Sequence, residues 1–206
     1  NPADAVLHPV KFVRGLAQAA EQYGALIYEE TPARTIQSQR VTTPHAIIEA
    51  KHIILALESD TPSLGKTEGY FWREGALVTK PLSATAWRRL NWQDTGMFWD
   101  SATNYLTVRK IGNRLFICKG APLHDSKAAA DRHAGTLLKE LYRAFPKLLS
   151  SDLKPSHYWT GMLFFPKTLG PVIKKKGSTY TIYGHGGLGL TNATMAGYEI
   201  AQKLKP

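Results

Sequence analysis

The stretch that decides the fold is YTIYGHGGLGL, residues 180–190. Its first four residues are aromatic or β-branched and predict a strand, and residues 190–204 predict a helix. The glycines that have the spacing G-x-G-x-x-G are Gly184, Gly186 and Gly189. In a dinucleotide-binding unit this motif is followed by a second strand and, about 20 positions on, by an acidic residue. Neither follows within the 206 residues.

The glycine loop predicts a different kind of site. Backbone N–H groups at the start of a helix have no partner inside the helix, and the helix dipole favours negative charge there. A strand, a glycine loop and a helix in this order therefore indicate a site for a polarised or anionic oxygen. The alternative is a close strand-to-helix turn that binds nothing.

The net charge is +10, from 26 Lys and Arg against 16 Asp and Glu. The basic residues are scattered, and the one run, Lys174–Lys176, directly precedes Gly177-Ser178, which predicts a hairpin turn. No nucleic-acid-binding motif accompanies the charge, so a nucleic-acid partner is not predicted. An anionic substrate or cofactor accounts for the positive field more simply.

The hydrophobic stretches are short. The longest, Ile53–Leu57, has the length of a strand, and no run reaches a membrane span. The single cysteine, Cys118, excludes an internal disulfide and fits a reducing, cytoplasmic location. It lies in a strand-like run and is predicted to be a buried, inert thiol. The histidines have no metal-ligand spacing, so no metal site is predicted.

The order of elements predicts a mixed fold. The first 57 residues predict half of an α/β domain. The predicted elements are a helix at 9–23 that Gly24 ends, a strand at 25–29, a hairpin at 40–50 and a strand at 53–57 that is covered on both faces. The middle, 69–121, is rich in strand-forming residues and indicates an antiparallel α+β segment. The remaining predicted elements are helices at 84–90 and 125–145 and strands at 157–164 and 179–183.

Several segments resemble the D-amino-acid-oxidase-like FAD-dependent oxidoreductases. Residues 8–33 and 53–56 are similar to the middle of those proteins. Residues 79–82 and 92–100 are similar to the substrate domain of the γ-glutamylputrescine oxidase branch. The segments similar to the family's C-terminal, flavin-contacting strand and helix are Trp159-Thr160-Gly161, Pro171 and the stretch from Gly184 to Gly197.

The resemblance implies a domain organisation. Residues 1–59 and 157–206 correspond to the second and third stretches of an FAD-binding domain, and 60–156 to an inserted antiparallel-sheet substrate domain. The first stretch, with the true pyrophosphate loop, is expected to lie outside this chain. The resemblance therefore implies an incomplete FAD-binding domain, which alone is expected to be colourless and inactive. We expect it to associate with a missing N-terminal segment or with another copy.

The resemblance also implies which residues meet FAD. Ala33 matches a position whose backbone faces the adenine, and Ala56 matches a small residue that lets the backbone pass close to the cofactor. Gly161 belongs to the flavin-contacting strand. The loop whose N–H groups face the flavin pyrimidine carbonyl, where a helix start stabilises the charge of the reduced state, consists of Gly186, Gly187, Leu188, Gly189 and Leu190.

The implied reaction is hydride transfer to flavin from a C–H bond beside the nitrogen of a small amine or amino acid. Tyr105 and Trp159 are candidates for the walls of an amine pocket, and His185 for a side chain over the flavin. Arg109 and Lys167 are candidates for binding a carboxylate. No residue is assigned a catalytic role. The alternatives are a binding or scaffold module that keeps the fold without catalysis, and, ranked below it, a basic nucleic-acid-binding domain.

Overall fold

The computed structural model describes residues 5–64, 68–92, 96–102, 104–123, 126–168 and 170–205. The chain divides into two compact units. We call Trp72–Met162 the sheet unit, and Leu7–Phe71 with Leu163–Pro206 the loop unit. No helix within the described ranges is long and apolar enough to cross a membrane.

The helices and strands follow one another along the chain as α1 Pro9–Gln22, β1 Thr35–Gln37, β2 Arg40–Thr42, β3 Ile47–Glu49, β4 Ile53–Leu55, β5 Gly69–Thr79, α2 Ala84–Leu90, β6 Met97–Trp99, β7 Thr107–Ile111, β8 Arg114–Gly120, α3 Lys127–Ala144, β9 Pro155–Pro166, β10 Val172–Lys176, β11 Thr179–Tyr183 and α4 Gly189–Lys203. Two 3-10 segments, Glu58–Leu64 and Gly186–Leu188, follow β4 and precede α4. The fold is the predicted mixture of α/β and antiparallel α+β structure.

The loop unit contains two three-stranded sheets. The first has the antiparallel order β1-β2-β3, and the second has the order β10-β11-β4, in which β4 runs parallel to β11. Its core lies between β11 and α4 and consists of Tyr180, Ile182, Ala196 and Ile200. The glycine loop therefore connects the buried strand β11 directly to α4, and α4 packs against that strand.

The sheet unit is built on a five-stranded sheet with the order β6-β7-β8-β5-β9. Leu77, Ile117 and Val108 lie opposite one another on β5, β8 and β7 and are fully buried. They belong to one core with Leu137 and Leu141 of α3. Helix α3 therefore covers this face of the sheet, which we call the covered face.

The ends of the helices have the capping that the sequence favours. The side chain of Ser83 accepts a hydrogen bond from the amide of Ala86 in α2, and the side chain of Ser126 does the same from Ala129 in α3. The predicted helix at 84–90 and the hairpin strands at 40–50 are confirmed. The long helix begins at Lys127, while Asp125, where it was predicted to begin, lies outside the described residues.

Two predictions for the loop unit were wrong. Residues 25–29 form no strand, because no described strand pairs with them and an isolated strand leaves its N–H and C=O groups unsatisfied. The strand predicted for Ile53–Leu57 exists as β4, but Ile54 is 46% and Leu57 39% exposed. The run is apolar, yet among the described residues β4 pairs only with β11.

Candidate cofactor and substrate site

The glycines of the loop serve two different purposes. Gly184 and Gly186 have φ of +80° and +53°, a region that other residues rarely adopt. A Cβ on Gly184 would lie 2.6 Å from Pro166, and one on Gly186 would lie 2.6 Å from the ring of Phe165. The fold itself therefore requires glycine at both positions.

Within the described chain, neither the backbone conformation nor packing requires glycine at position 189. Its φ is −53°, which any residue adopts, and a Cβ there would meet no atom within 4 Å. Helix α4 begins at this residue, and its N-cap position makes no side-chain hydrogen bond. The first N–H groups of α4 therefore lack a side-chain cap, beside open space that could admit an acceptor oxygen.

A cleft of about 740 Å³ lies beside this helix start. Phe12, Val13 and Leu16 of α1 form one side of it, and the other side comprises Gly187–Thr191, Ala193 and Thr194. The lining is largely apolar except for the backbone of the loop. It therefore suits a flat, largely apolar group with a polar edge directed at the helix start.

Glu58 is a residue of this site that the sequence analysis missed. Its Oε2 accepts hydrogen bonds from the amides of Gly184, at 3.1 Å, and His185, at 3.3 Å. Its Oε1 is buried without a hydrogen-bond partner, and its backbone φ is +45°. An acidic residue directly after the strand-like run 53–57 was the available signal, but only the fold brings it to the loop.

His185 and Lys167 lie in the loop unit with different surroundings. The carbonyl of His185 accepts hydrogen bonds from Leu188 N, at 3.1 Å, and Asn192 Nδ2, at 3.3 Å, which tie the loop to α4. Its Nδ1 is buried with no hydrogen-bond partner. Lys167 forms an exposed ion pair with Glu68 at 3.1 Å, an arrangement typical of surface charges.

Ala33 and Ala56 are both exposed and lie outside helices and strands. Ala33 precedes β1, and Ala56 directly follows β4. That their backbones face a cofactor, as the resemblance implies, stays a prediction. Neither position is brought into contact with the glycine loop by any described hydrogen bond.

The other candidate residues belong to the sheet unit. Arg109 is half-buried on β7, and its Nε is buried without a hydrogen-bond partner. Trp159 on β9 is 48% exposed, and its ring lies 5.9 Å from that of Phe116. Gly161, also on β9, has open space where a Cβ would stand. Tyr105 packs edge-on against Trp99 at 6.1 Å.

Cys118 lies on the face of the sheet opposite the covered face, next to Glu74, which the sequence analysis also missed. Its thiol donates to Glu74 Oε2 at 3.4 Å. Burial, with the negative charge of Glu74 adding to it, raises the pKa of Cys118 to about 12. The thiol therefore stays protonated at neutral pH, in agreement with the prediction of an inert cysteine.

A flavin fits the residues around α4. Such a group needs donors toward its polar edge, close backbone approach and an apolar bed. The start of α4, which has no side-chain cap, offers the donors, and the open space at Gly189 permits close approach. The apolar side of the cleft offers the bed. The 206 residues contain no second G-x-G-x-x-G that would hold a pyrophosphate. Among the described residues, no three His, Cys, Asp or Glu are grouped to hold a metal ion.

Solved structures share this fold. L-proline dehydrogenase from P. horikoshii has a TM-score of 0.74 at 17% identity, over 96% of this chain and 55% of its own. Glycine oxidase from Geobacillus kaustophilus has a TM-score of 0.68 at 17% identity, over 91% and 51%. Iminodiacetate oxidase from Chelativorans sp. BNC1 has a TM-score of 0.67 at 13% identity, and the match covers 91% of this chain and 52% of the oxidase.

At these identities the similarity establishes the fold alone, and the chain spans about half the length of each of these structures. None of the curated proteins matches the chain. The sequence profile of the family described as FAD dependent oxidoreductase, the DAO family, matches residues 1–203. The chain therefore belongs to the DAO family of FAD-dependent oxidoreductases.

Proposed function

We propose that this chain is part of an enzyme that oxidises a small amine or amino acid by hydride transfer to FAD. The observation that carries the proposal is the uncapped start of α4, which opens on an apolar cleft directly after the glycine loop. The similar structures are named for proline, glycine and iminodiacetate. These are small compounds that contain nitrogen, which supports the same substrate class here.

When bound, FAD would accept the hydride. The chain would hold it through the backbone N–H groups of Gly186–Leu190, of which that of Leu188 also donates to the carbonyl of His185. The dipole of α4 favours negative charge there. Phe12, Val13 and Leu16 would exclude water from one side of the cleft. Ala33, Ala56 and Gly161 would let the backbone approach the cofactor elsewhere.

Five side chains are the candidates for binding the substrate. We propose the rings of Tyr105 and Trp159 as pocket walls, because ring faces attract cationic amines. Arg109, whose Nε has no hydrogen-bond partner, is the better candidate for a carboxylate. Lys167 would first have to leave Glu68. His185 carries an unpartnered ring nitrogen that a substrate group could occupy.

The finer assignments are also proposals. We propose that 1–59 and 157–206 form an FAD-binding domain, that 60–156 form the substrate domain, and that the nearest branch is that of γ-glutamylputrescine oxidase. A further segment, or another copy, would complete the cofactor site. The 206 residues alone would then be colourless and inactive. The proposed location is the cytoplasm.

One observation favours a second candidate, a binding or scaffold module without catalysis. The carboxylate of Glu58 already occupies two amides of the glycine loop. A fixed negative charge there opposes further negative charge on a bound group. A protein that has kept the fold and lost hydride transfer would tolerate this arrangement.

The test uses the full-length protein and its flavin content. Gly189→Val places a branched side chain in the open space at the start of α4, so we expect FAD content to fall several-fold and flavin reduction to slow. Gly197→Val is the matched control, since Gly197 lies on the same helix and a Cβ there also meets no atom within 4 Å. FAD released by denaturation is quantified by absorbance, and reduction by small amines is followed anaerobically.

The outcomes separate the two candidates. Loss of FAD in Gly189→Val but not in Gly197→Val supports cofactor binding at the loop. Equal FAD content in both variants and the parent would mean that the loop is a packing turn. A parent protein that binds FAD but is reduced by no amine or amino acid would favour the scaffold module.

A further inference from the structure

The first half of the glycine loop has the backbone conformation of an anion-binding segment. Its φ changes sign at each residue, from +80° at Gly184 to −71° at His185 and +53° at Gly186. Alternation between left-handed and right-handed backbone turns successive N–H groups toward one side, and the concavity that results binds negative charge. We call Gly184–Gly186 the nest.

The anion in the nest is a side chain of the same unit. Oε2 of Glu58 accepts from the N–H of Gly184 at 3.1 Å and from that of His185 at 3.3 Å. Hydrogen bonds to a charged oxygen are stronger than those between neutral groups. They tie the 3-10 segment Glu58–Leu64 to the loop that leads into α4. Glu58 therefore fixes where the loop lies.

The charge of Glu58 is not neutralised by another side chain of the described residues. Their ion pairs do not include Glu58, and its Oε1 is buried without a hydrogen-bond partner. Salt and solvent screen a partly buried charge much less than an exposed one. Glu58 therefore gives the loop a fixed negative charge as well as a structural link.

This charge lies close to the helix start at which the flavin is proposed to bind. Only the 3-10 segment Gly186–Leu188 separates His185 from Gly189, the first residue of α4. At about 2 Å of rise per residue, the carboxylate of Glu58 lies roughly 10 Å from the N–H of Gly189. Two like charges at that separation near a protein surface repel strongly enough to change a binding constant about tenfold.

We infer that Glu58 is a positioning residue for the cofactor, which holds the glycine loop in place and, through its charge, opposes reduction of the bound flavin. The inference rests on the proposed function and adds the residue that sets how readily the flavin is reduced. The dipole of α4 favours the negative charge of the reduced state, and Glu58 counteracts it. The lower potential lets the reduced flavin pass its electrons on more readily.

The first experiment removes the charge and keeps the shape. Glu58→Gln retains an oxygen that can accept from the nest. In the full-length protein, we expect the affinity for reduced FAD to rise about tenfold relative to oxidised FAD, which raises the midpoint potential by about 30 mV for a two-electron couple. Spectroelectrochemical titration measures this potential. An unchanged or lower potential would overturn the inference.

The control for this experiment is Glu30→Gln. Glu30 is an exposed carboxylate of the same unit, so its charge is screened by solvent. We expect its variant to keep the potential of the parent protein. An equal rise in both variants would assign the effect to net charge and would contradict a specific role of Glu58.

The second experiment empties the nest. Glu58→Gly removes the carboxylate and suits the left-handed φ of +45° at this position. We expect the melting temperature of the full-length protein to fall, and we expect acetate to raise it again more than chloride does at equal ionic strength, because acetate can take the place of the lost carboxylate. An identical response to acetate and chloride would contradict the role of Glu58 in the nest.

Glu30→Gly is the matched control for the second experiment. Glu30 also has a left-handed backbone, with φ of +50°, and its carboxylate makes no hydrogen bond or ion pair within the described part of the chain. The variant therefore removes the same side chain and relaxes the same backbone conformation. It should melt near the parent protein and show no preference for acetate. A preference as large as that of Glu58→Gly would overturn the inference.

The two experiments distinguish this inference from the proposed function. If acetate restores Glu58→Gly but no amine or amino acid reduces the flavin, the anchor in the nest stands and the proposed enzyme fails. If amines reduce the flavin and Glu58→Gln has the potential of the parent, the enzyme stands and the role of Glu58 fails. Should Glu58→Gly not fold, the potential of Glu58→Gln decides alone.

Discussion

The two units differ in how completely they bury their own apolar side chains. Among the described residues, the sheet unit encloses a core of eleven buried residues, and α3 contributes Leu137 and Leu141 to it without exposure. The buried cluster described in the loop unit has four residues, and Ile53, Phe164 and Tyr183 are buried outside it. Helix α1 of that unit buries none of its residues. A unit can thus contain a well-formed helix that contributes nothing to its buried core.

Helix α1 makes the difference concrete. Its sequence predicts an apolar stripe, and the stripe exists, but Val10 and Val13 are each 53% and Leu16 50% exposed. An amphipathic pattern predicts that the apolar face of a helix is buried against another surface. It does not predict whether that surface belongs to the same 206 residues. Contiguous apolar surface of this kind favours association with a cofactor or another chain.

The largest expected effect tests the contrast between the cores. Leu137→Ala should lower the free energy of unfolding by about 2–5 kcal/mol, because it leaves a cavity in a fully buried core. Val13→Ala removes an apolar side chain of α1 that is half exposed and should change that free energy by less than about 0.5 kcal/mol. Urea unfolding followed by circular dichroism measures both. Comparable losses would mean that α1 is as well packed as α3.

A smaller effect is expected where α3 meets the sheet. Gly75→Ala should destabilise the protein by about 1–3 kcal/mol, because a Cβ would lie 2.5 Å from the ring of His133 and 2.9 Å from Tyr158 Oη. Gly135→Ala on α3 is the control. Its Cβ meets no atom within 4 Å, so the change should be neutral or slightly stabilising. Equal behaviour of the two variants would show that the contact at Gly75 is loose.

The smallest effect is a pH dependence specific to the sheet unit. His133 Nε2 lies 2.9 Å from the carbonyl of Gly120, which can only accept, so Nε2 carries the proton and Nδ1 accepts from Tyr158 at 3.0 Å. Burial lowers the pKa of His133 below its ordinary 6.5, with Lys119 adding to this and the carbonyl of Gly120 and Glu74 opposing it.

The unfolded chain therefore binds this proton more readily than the folded chain. The contribution of His133 is fully present above pH 6.5 and is lost as the pH falls from there through the lower pKa of the folded state. Denaturant midpoints measured across this range should decline toward acid, and His133→Gln should lose that part of the decline. An unchanged pH profile in the variant would assign the decline to other groups.

Local patterns predicted much of the fold. Ser83 caps the helix predicted at 84–90, and the strand predicted before the glycine loop is β11. Ser126, which the predicted helix at 125–145 included, is instead the cap of α3. The predictions of a strand at 25–29 and of a β4 covered on both faces were wrong. Both features depend on neighbouring elements, which local periodicity does not reveal. The strand-rich middle predicted at 69–121 begins with one long strand, β5.

The candidate sites were harder to predict. Sequence spacing identified the glycine loop, but not that Gly184 and Gly186 serve the fold while Gly189 faces open space. Glu58 and Glu74 were missed because their hydrogen-bond partners lie far along the chain. Glu58 accepts from the amide of Gly184, and Glu74 accepts from the thiol of Cys118. Charge alone gave no reason to single out two acidic residues.

Glu58 has one further consequence. A left-handed backbone at a residue other than glycine costs about 1 kcal/mol, and the hydrogen bonds that Glu58 accepts from Gly184 and His185 offset that cost. Opening either segment removes the hydrogen bonds that hold the other. The turn after β4 and the glycine loop should therefore open to solvent as a single cooperative unit, although Glu58 and Gly184 are 126 positions apart in the chain.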